Sequence, residues 1–219
     1  MPGLPLGIRN RLAELILEGF DAEEARRVLD ALAGYCAGAE PVALPEASRA
    51  ALEPLDWFEE VPGQRVRLRG AHRPYREALC RRVEAARGVL GREPEPAGPP
   101  LLRALARAGR LFDAGLYFEV HELLERHWIR AEGAERRALQ GVIQVAAAFH
   151  HQAHGNREGA ASLLAEGLAK LEGTERALPL PLAGWQAALA EGLARLGAGD
   201  LAVAPPFPRP DAEAAWRSS

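Results

Sequence analysis

The sequence predicts a mainly α-helical protein: a C-terminal all-α domain of orthogonal helices, joined to an N-terminal unit of helices with one β-hairpin. Three observations carry this. Apolar residues recur at helical spacing through most of the chain. One short run, Arg65-Val66-Arg67-Leu68-Arg69, alternates with period two instead. The stretch GREPEPAGPP at 91–100 holds four prolines and two acids, the composition of a semi-rigid connector. The expected organisation is therefore an N-terminal unit over 1–90, a linker over 91–100, a helical domain over 101–198 and an extended proline-rich tail over 199–219.

In order, residues 6–18 form an amphipathic helix with Ile8, Leu12, Leu15 and Ile16 on one side, and Gly19 ends it. Asp21, with Glu24 three residues on, resembles a capped start for a helix over 22–37. A shorter helix is expected over 45–55. Trp57-Phe58-Glu59-Glu60-Val61, the turn Pro62-Gly63-Gln64 and the alternating run to Arg69 read as a hairpin. A helix over 74–89 closes the unit.

This order of elements is similar to a winged-helix unit. After the turn come Arg65, Arg67, Arg69, Arg73, Arg76, Arg81, Arg82, Arg87 and Arg92, opposed by Glu77 and Glu84 alone. A basic wing of this kind suits phosphates, which makes Arg65, Arg67 and Arg69 nucleic-acid candidates. The helix that would read bases, PEASRAALEPL, offers one arginine against two glutamates, so nucleic acid is not favoured. A solvated arginine-rich face is the simpler expectation.

The C-terminal domain opens with a short helix over 101–109. A helix over 114–129 follows, whose apolar arc contains Tyr117, Val120, Leu124 and Trp128, with Phe118 and Ile129 extending it. His121 and Glu125 fall inside that arc and Glu122 at its edge, while Glu119 is expected on the wet face. The helix over 135–154 is apolar around most of its circumference and is expected to be central. Gln140, Gln144 and His151 make one polar stripe on it. Buried polar groups require partners. The two sets, His121, Glu122, Glu125 and Gln140, Gln144, His151, are therefore expected to meet as one buried polar pocket. Asn156 is the expected cap of a helix over 157–171. A proline-spaced loop at 178–182 and a helix over 183–196 precede the tail, where Trp216 is a candidate surface anchor.

The motifs FDAGLYFEVHELLERHW, LQGVIQVAAAFHHQAHGN and the following helix resemble the uncharacterised prokaryotic family called domain of unknown function 309. Its recurring pattern falls here on Tyr117, Phe118, Glu119, His121, Glu122, Leu124, Glu125, Trp128, Gln140, Gly141, Ile143, Gln144, His151, Gly155 and Asn156. The resemblance spans 101–171 and implies a small all-helical domain without an established activity. His127, His150 and His154 enrich histidine beyond the family pattern.

What chemistry could these residues serve? His121 and Glu125, one turn apart, with His151 from the facing helix, are the candidate ligands of a divalent metal. A zinc-peptidase helix needs a second histidine where Glu125 stands, so that class is not supported, and the pair of Glu-x-x-His motifs that a di-iron centre needs is not visible. Acid–base chemistry on a small molecule is the enzymatic alternative, though no nucleophile motif or phosphate-binding glycine loop is present. The reading preferred from sequence is a binding or adaptor protein; the alternative role of the polar pocket is to register the helices. Whether it is an enzyme stays open, and self-association is compatible with the chain. Net charge is −3, and of 27 Lys+Arg only Lys170 is lysine, so no global attraction to nucleic acid exists. The run of about 18 apolar residues needed for a membrane span is missing, and MPGLPLGIRN is not expected to be a signal peptide. Cys36 and Cys80 form no motif and are expected to be reduced, as in a cytoplasmic protein.

Overall fold

The computed structural model describes residues 3–91 and 95–210. Arg92 of the basic run and Trp216 of the tail lie outside the described residues. The protein is mainly α-helical, with nine α-helices and one small sheet among the described residues. The chain clusters into two compact units, Met1–Arg92 and Glu93–Ser219. No helix among the described residues is long and apolar enough to cross a membrane.

In the first unit, α1 (Leu6–Glu18) buries Ile8, Leu12, Leu15 and Ile16, the face expected from its spacing. Gly19 ends it in a right-handed conformation, φ −62°. The missing side chain matters for packing: a Cβ there would stand 3.0 Å from Leu90 Cδ1. α2 (Glu23–Cys36) starts one residue late, with Ala22 rather than Asp21 in the cap position and no side-chain cap bond. A two-residue strand β1 (Val42–Ala43) precedes α3 (Glu46–Leu52), and the hairpin is β2 (Phe58–Val61) with β3 (Arg65–Leu68). The sheet order is β1-β3-β2, antiparallel throughout, with Phe58 opposite Leu68 and Val61 opposite Arg65. The turn needs left-handed backbone at Gly63 (φ 88°) and Gln64 (φ 60°), which the Pro-Gly signal anticipates. β1 was not legible, because two residues carry no period. The unit closes with α4 (Arg76–Val89).

The cysteines correct the expectation of reduced thiols. Cys36 at the end of α2 is disulfide-bonded to Cys80 in α4, with Cα atoms 5.4 Å apart. Such bonds are rare in most cytosols and frequent in intracellular proteins of hyperthermophiles, so the cysteines no longer support a cytoplasmic location. Around the bond, Tyr35 hydrogen-bonds Glu40, which also accepts from Leu68 N at 2.7 Å. The Arg76 guanidinium lies 5.2 Å above the Tyr35 ring and donates to Gly38 O at 2.6 Å. Burial, then the bond to Glu40, pushes the Tyr35 hydroxyl well above its ordinary pKa.

The second unit contains α5 (Pro100–Asp113), α6 (Tyr117–Trp128), α7 (Gly133–Ala153), α8 (Arg157–Leu171) and α9 (Leu182–Gly197). α5 runs four residues beyond its expected end and buries Leu105, Leu111 and Phe112. α7 is the central helix, buried along its length from Ala138 to Phe149. Phe112 anchors an aromatic core, its ring 5.0–5.8 Å from those of Tyr117, Phe149, Trp185 and Phe207. α7 crosses α8 at two glycines. A Cβ on Gly141 would lie 2.8 Å from Leu171 Cγ and 3.0 Å from Gly167 O.

The linker and the tail are both bound to the helices of the second unit. Glu95 receives Arg107 Nε at 2.6 Å and Arg110 Nη2 at 3.2 Å, which ties its stretch of the linker to α5. Residues 201–210 form no helix or strand, and they are part of the core of the second unit. Phe207 is 2 % exposed and its amide donates to Asp113 Oδ1 at 2.8 Å. Arg209 reaches Asp113 Oδ2 at 2.7 Å, and the backbone of Ala202 exchanges two 2.9 Å bonds with the Gln152 amide.

Candidate functional site

α6 is set at both ends by identifiable contacts. Gly115, at φ 74°, reverses the chain after α5, and Leu116 N donates to Leu111 O at 2.9 Å. At the other end Arg136 of α7 lies 4.2 Å over the Trp128 ring and donates to the carbonyls of Trp128 (3.0 Å), Ile129 (3.3 Å) and Ala131 (3.4 Å). It thereby satisfies carbonyls that a helix end leaves unpaired. Trp128 is half-buried under that guanidinium, not a fully enclosed core residue.

The buried face of α6 consists of Glu119, Val120, Leu123 and Leu124. It is rotated from the expected arc. Glu119, expected in water, is 1 % exposed, whereas Ile129 is 63 % exposed. α6 packs against both α5 and α7, so its apolar surface is broad and periodicity alone could not locate its centre. The rotation moves His121, Glu122 and Glu125 to the edge of the buried face. They are half-exposed, not buried as expected.

There they converge. One ligand atom from each of His121, Glu122 and Glu125 lies within 4.8 Å of the other two. His121 Nδ1 is 3.1 Å from Glu122 Oε1. With a carboxylate as acceptor, Nδ1 carries the proton and Nε2 keeps its lone pair, the tautomer of a metal-ligating histidine. The His121 ring stacks on Phe118, one turn earlier, with planes 10° apart.

The other half of the expected pocket is elsewhere. Gln144 Nε2 donates to Glu166 Oε2 of α8 at 2.8 Å. His151 closes the corner between α7 and α8: its Nδ1 is 2.8 Å from Asn156 Nδ2, and Asn156 Oδ1 accepts from Gly159 N at 2.9 Å. That second bond fixes the amide orientation, so Asn156 donates to His151 Nδ1 and the neutral ring carries its proton on Nε2. This arrangement directs no lone pair of His151 to a metal, and His151 is outside the α6 group. Gly155 turns this corner at φ 80°, and a Cβ on Gly159 would lie 2.6 Å from both His151 Nδ1 and Asn156 Nδ2. Gln140 is half-buried on α7.

Two features were not assembled from sequence. His150, half-buried, packs its ring 5.8 Å from Phe118, and the His154 ring lies 4.3 Å from that of His150. The i, i+4 spacing was the available signal. His127 is half-buried, and burial, followed by Arg130, holds its imidazole below the ordinary value.

In the first unit two of the three candidate phosphate contacts are engaged by carboxylates. Arg67 pairs with Glu59 at 2.7 Å and Arg69 with Asp56 at 2.6 Å, and Arg73 also reaches Glu59, at 3.2 Å. The hydrogen bond from Arg67 holds the Glu59 carboxyl below its ordinary value. Arg65 is exposed at the turn. A 630 Å³ groove beside the sheet is lined by Glu46, Glu53, Glu59 and Glu60 against Arg49 and Arg69, an excess of negative charge that opposes phosphate.

The model of a family described as Domain of unknown function (DUF309) matches residues 105–163, from α5 to the middle of α8. No curated protein and no solved structure matches the chain.

Proposed function

From the premise that the chain carries the DUF309 domain over residues 105–163, we propose that this domain is a binding module whose ligand is a divalent metal ion held on α6. The convergence of His121, Glu122 and Glu125 within 4.8 Å carries the reading. A His121 ring nitrogen and a Glu125 oxygen would be the ligands one turn apart. Glu122 orients the imidazole through Oε1 and has a second oxygen to offer. One nitrogen and carboxylate oxygens suit zinc, manganese or iron. Three ligands on one turn occupy one side of an ion and leave the rest to water, which is the arrangement of sites that exchange ligands or polarise a substrate. That open side favours a second reading, metal-assisted acid–base chemistry on a small molecule.

The test is metal analysis of untagged protein prepared without chelator, followed by calorimetric titration with Mn(II). One equivalent should bind the intact chain and none should bind Glu125→Gln or His121→Ala, with circular dichroism unchanged. Binding that persists in both variants, or no binding to the intact chain, would overturn the proposal.

A further inference from the structure

At the last turn of α7 lies a second constellation whose chemistry differs from that of α6. His150 and His154 are one turn apart, and their ring centroids are 4.3 Å apart with planes tilted 47°. Two imidazoles on one ion, each with a metal–nitrogen bond of about 2.0–2.1 Å and a near-tetrahedral angle, place their centroids roughly 4.5–5.5 Å apart. The observed pair is therefore within a small side-chain adjustment of bidentate geometry.

Three further observations agree. His154 Nδ1 is 2.8 Å from His150 O, so Nδ1 donates and Nε2 keeps its lone pair. A backbone carbonyl holding the second nitrogen in this way is the usual support of a ligating histidine. The His150 ring rests against Phe118 of α6, which limits its rotamers and lowers the entropy cost of chelation. His154 occupies the C-cap of α7, where the negative end of the helix dipole favours a cation. The intervening His151 is engaged by Asn156 instead and is not part of this pair. His154 is exposed, so its ring is accessible to an ion from solvent.

We infer that His150 and His154 form a second metal site, separate from the α6 group and specific for imidazole-preferring ions. With two neutral nitrogens as its protein ligands, the pair should take Ni(II), Cu(II) or Zn(II) and discriminate against Mn(II), Mg(II) and Ca(II). The α6 group carries two carboxylates and accepts Mn(II) as well. The two sites therefore differ in a way a titration can read.

The experiment is calorimetric titration of the full chain with Ni(II) and with Mn(II), with Cu(II) electron paramagnetic resonance as a structural readout. In Glu125→Gln, where the α6 group is disabled, Ni(II) should still bind at one equivalent and Cu(II) should show nitrogen hyperfine coupling. Adding His154→Gln should weaken that Ni(II) event by at least about tenfold, the scale of losing a metal-site contact, and reduce the nitrogen coupling. His127→Gln serves as the histidine-deletion control and should leave Ni(II) binding unchanged. The inference fails if Glu125→Gln binds no Ni(II), or if His154→Gln binds it as tightly as its parent. Either result is independent of the Mn(II) arm, which reports on α6 alone.

Discussion

Breaking the Cys36–Cys80 bond gives the most quantitative test of the first unit. The bond closes a loop with a sequence separation of 44. In the chain-entropy treatment, releasing a loop of that length returns about 13 cal/mol/K to the unfolded chain, or about 4 kcal/mol at 25 °C. Neither cysteine has another pairing choice, because among the described residues no cysteine is free. At 1.4 kcal/mol per factor of ten, the population of the opened unit should rise roughly a thousandfold. Hydrogen exchange by mass spectrometry, with and without a phosphine reductant, reads this directly. Peptides from α2 and α4 should exchange up to about a thousandfold faster after reduction, in the regime where exchange follows global opening. Peptides from α5 to α9 contain no cysteine and should not change. A Cys36→Ala/Cys80→Ala variant should behave as the reduced protein does. Exchange in α2 and α4 that accelerates less than about fivefold, or thiols that titrate as free in the untreated protein, would refute the reasoning.

Other outcomes follow from the second unit. Gly141→Ala should destabilise by roughly 1–2 kcal/mol, because overpacking at the α7–α8 crossing outweighs alanine's helix preference of about 1 kcal/mol. Gly184→Ala, with nothing within 4 Å of its Cβ, should be neutral to mildly stabilising, and urea midpoints compare the two. Asp113→Ala removes the acceptor of Phe207 N and the partner of Arg209, at a cost of about 1–3 kcal/mol, and residues 200–210 should exchange faster than in the parent. For His127, burial lowers the folded-state pKa below its unfolded value near 6.5. Its contribution is then fully present above that value and is lost as pH falls through the folded pKa. The urea midpoint should drop between pH 7.5 and 5 more in the parent than in His127→Gln, and equal drops would contradict the assignment.

The sequence reading succeeded where a local pattern is itself the cause of the structure. Helices α1, α7 and α8, the hairpin, and the Asn156 cap all follow from spacing or turn chemistry within a few residues. It failed where the cause is an encounter between distant segments. Nothing near Cys36 or Cys80 signals that α2 and α4 will bring them together. PPFPRP has the composition of a free tail, and only the Phe112, Trp185 and Asp113 surface makes it a strap. The inward turn of Glu119 belongs to the same class, because two neighbouring helices rather than one decide which side of α6 is inside.

This distinction divides the family pattern found in the chain. Gly141 is required where α7 meets α8, and His151, Gly155 and Asn156 together with Gly159 build the corner that follows α7. Gln144 is tied to Glu166. These residues are accounted for by packing, capping and backbone conformation, and they need no ligand to explain them. His121, Glu122 and Glu125 are not accounted for in that way. They are half-exposed, they satisfy no helix end, and the bond between His121 and Glu122 joins neighbours in sequence. A helix gains little stability from two adjacent carboxylates at the margin of an apolar face, where like charges repel and water already solvates them. A bound cation would reverse that balance by turning the repulsion into coordination. His121→Ala should accordingly cost little folding stability without metal and should remove the stabilisation that added metal confers on the parent. Thermal unfolding of both proteins, with and without Mn(II), separates the two contributions: a large loss of stability in the metal-free variant would return the trio to the architecture of the fold.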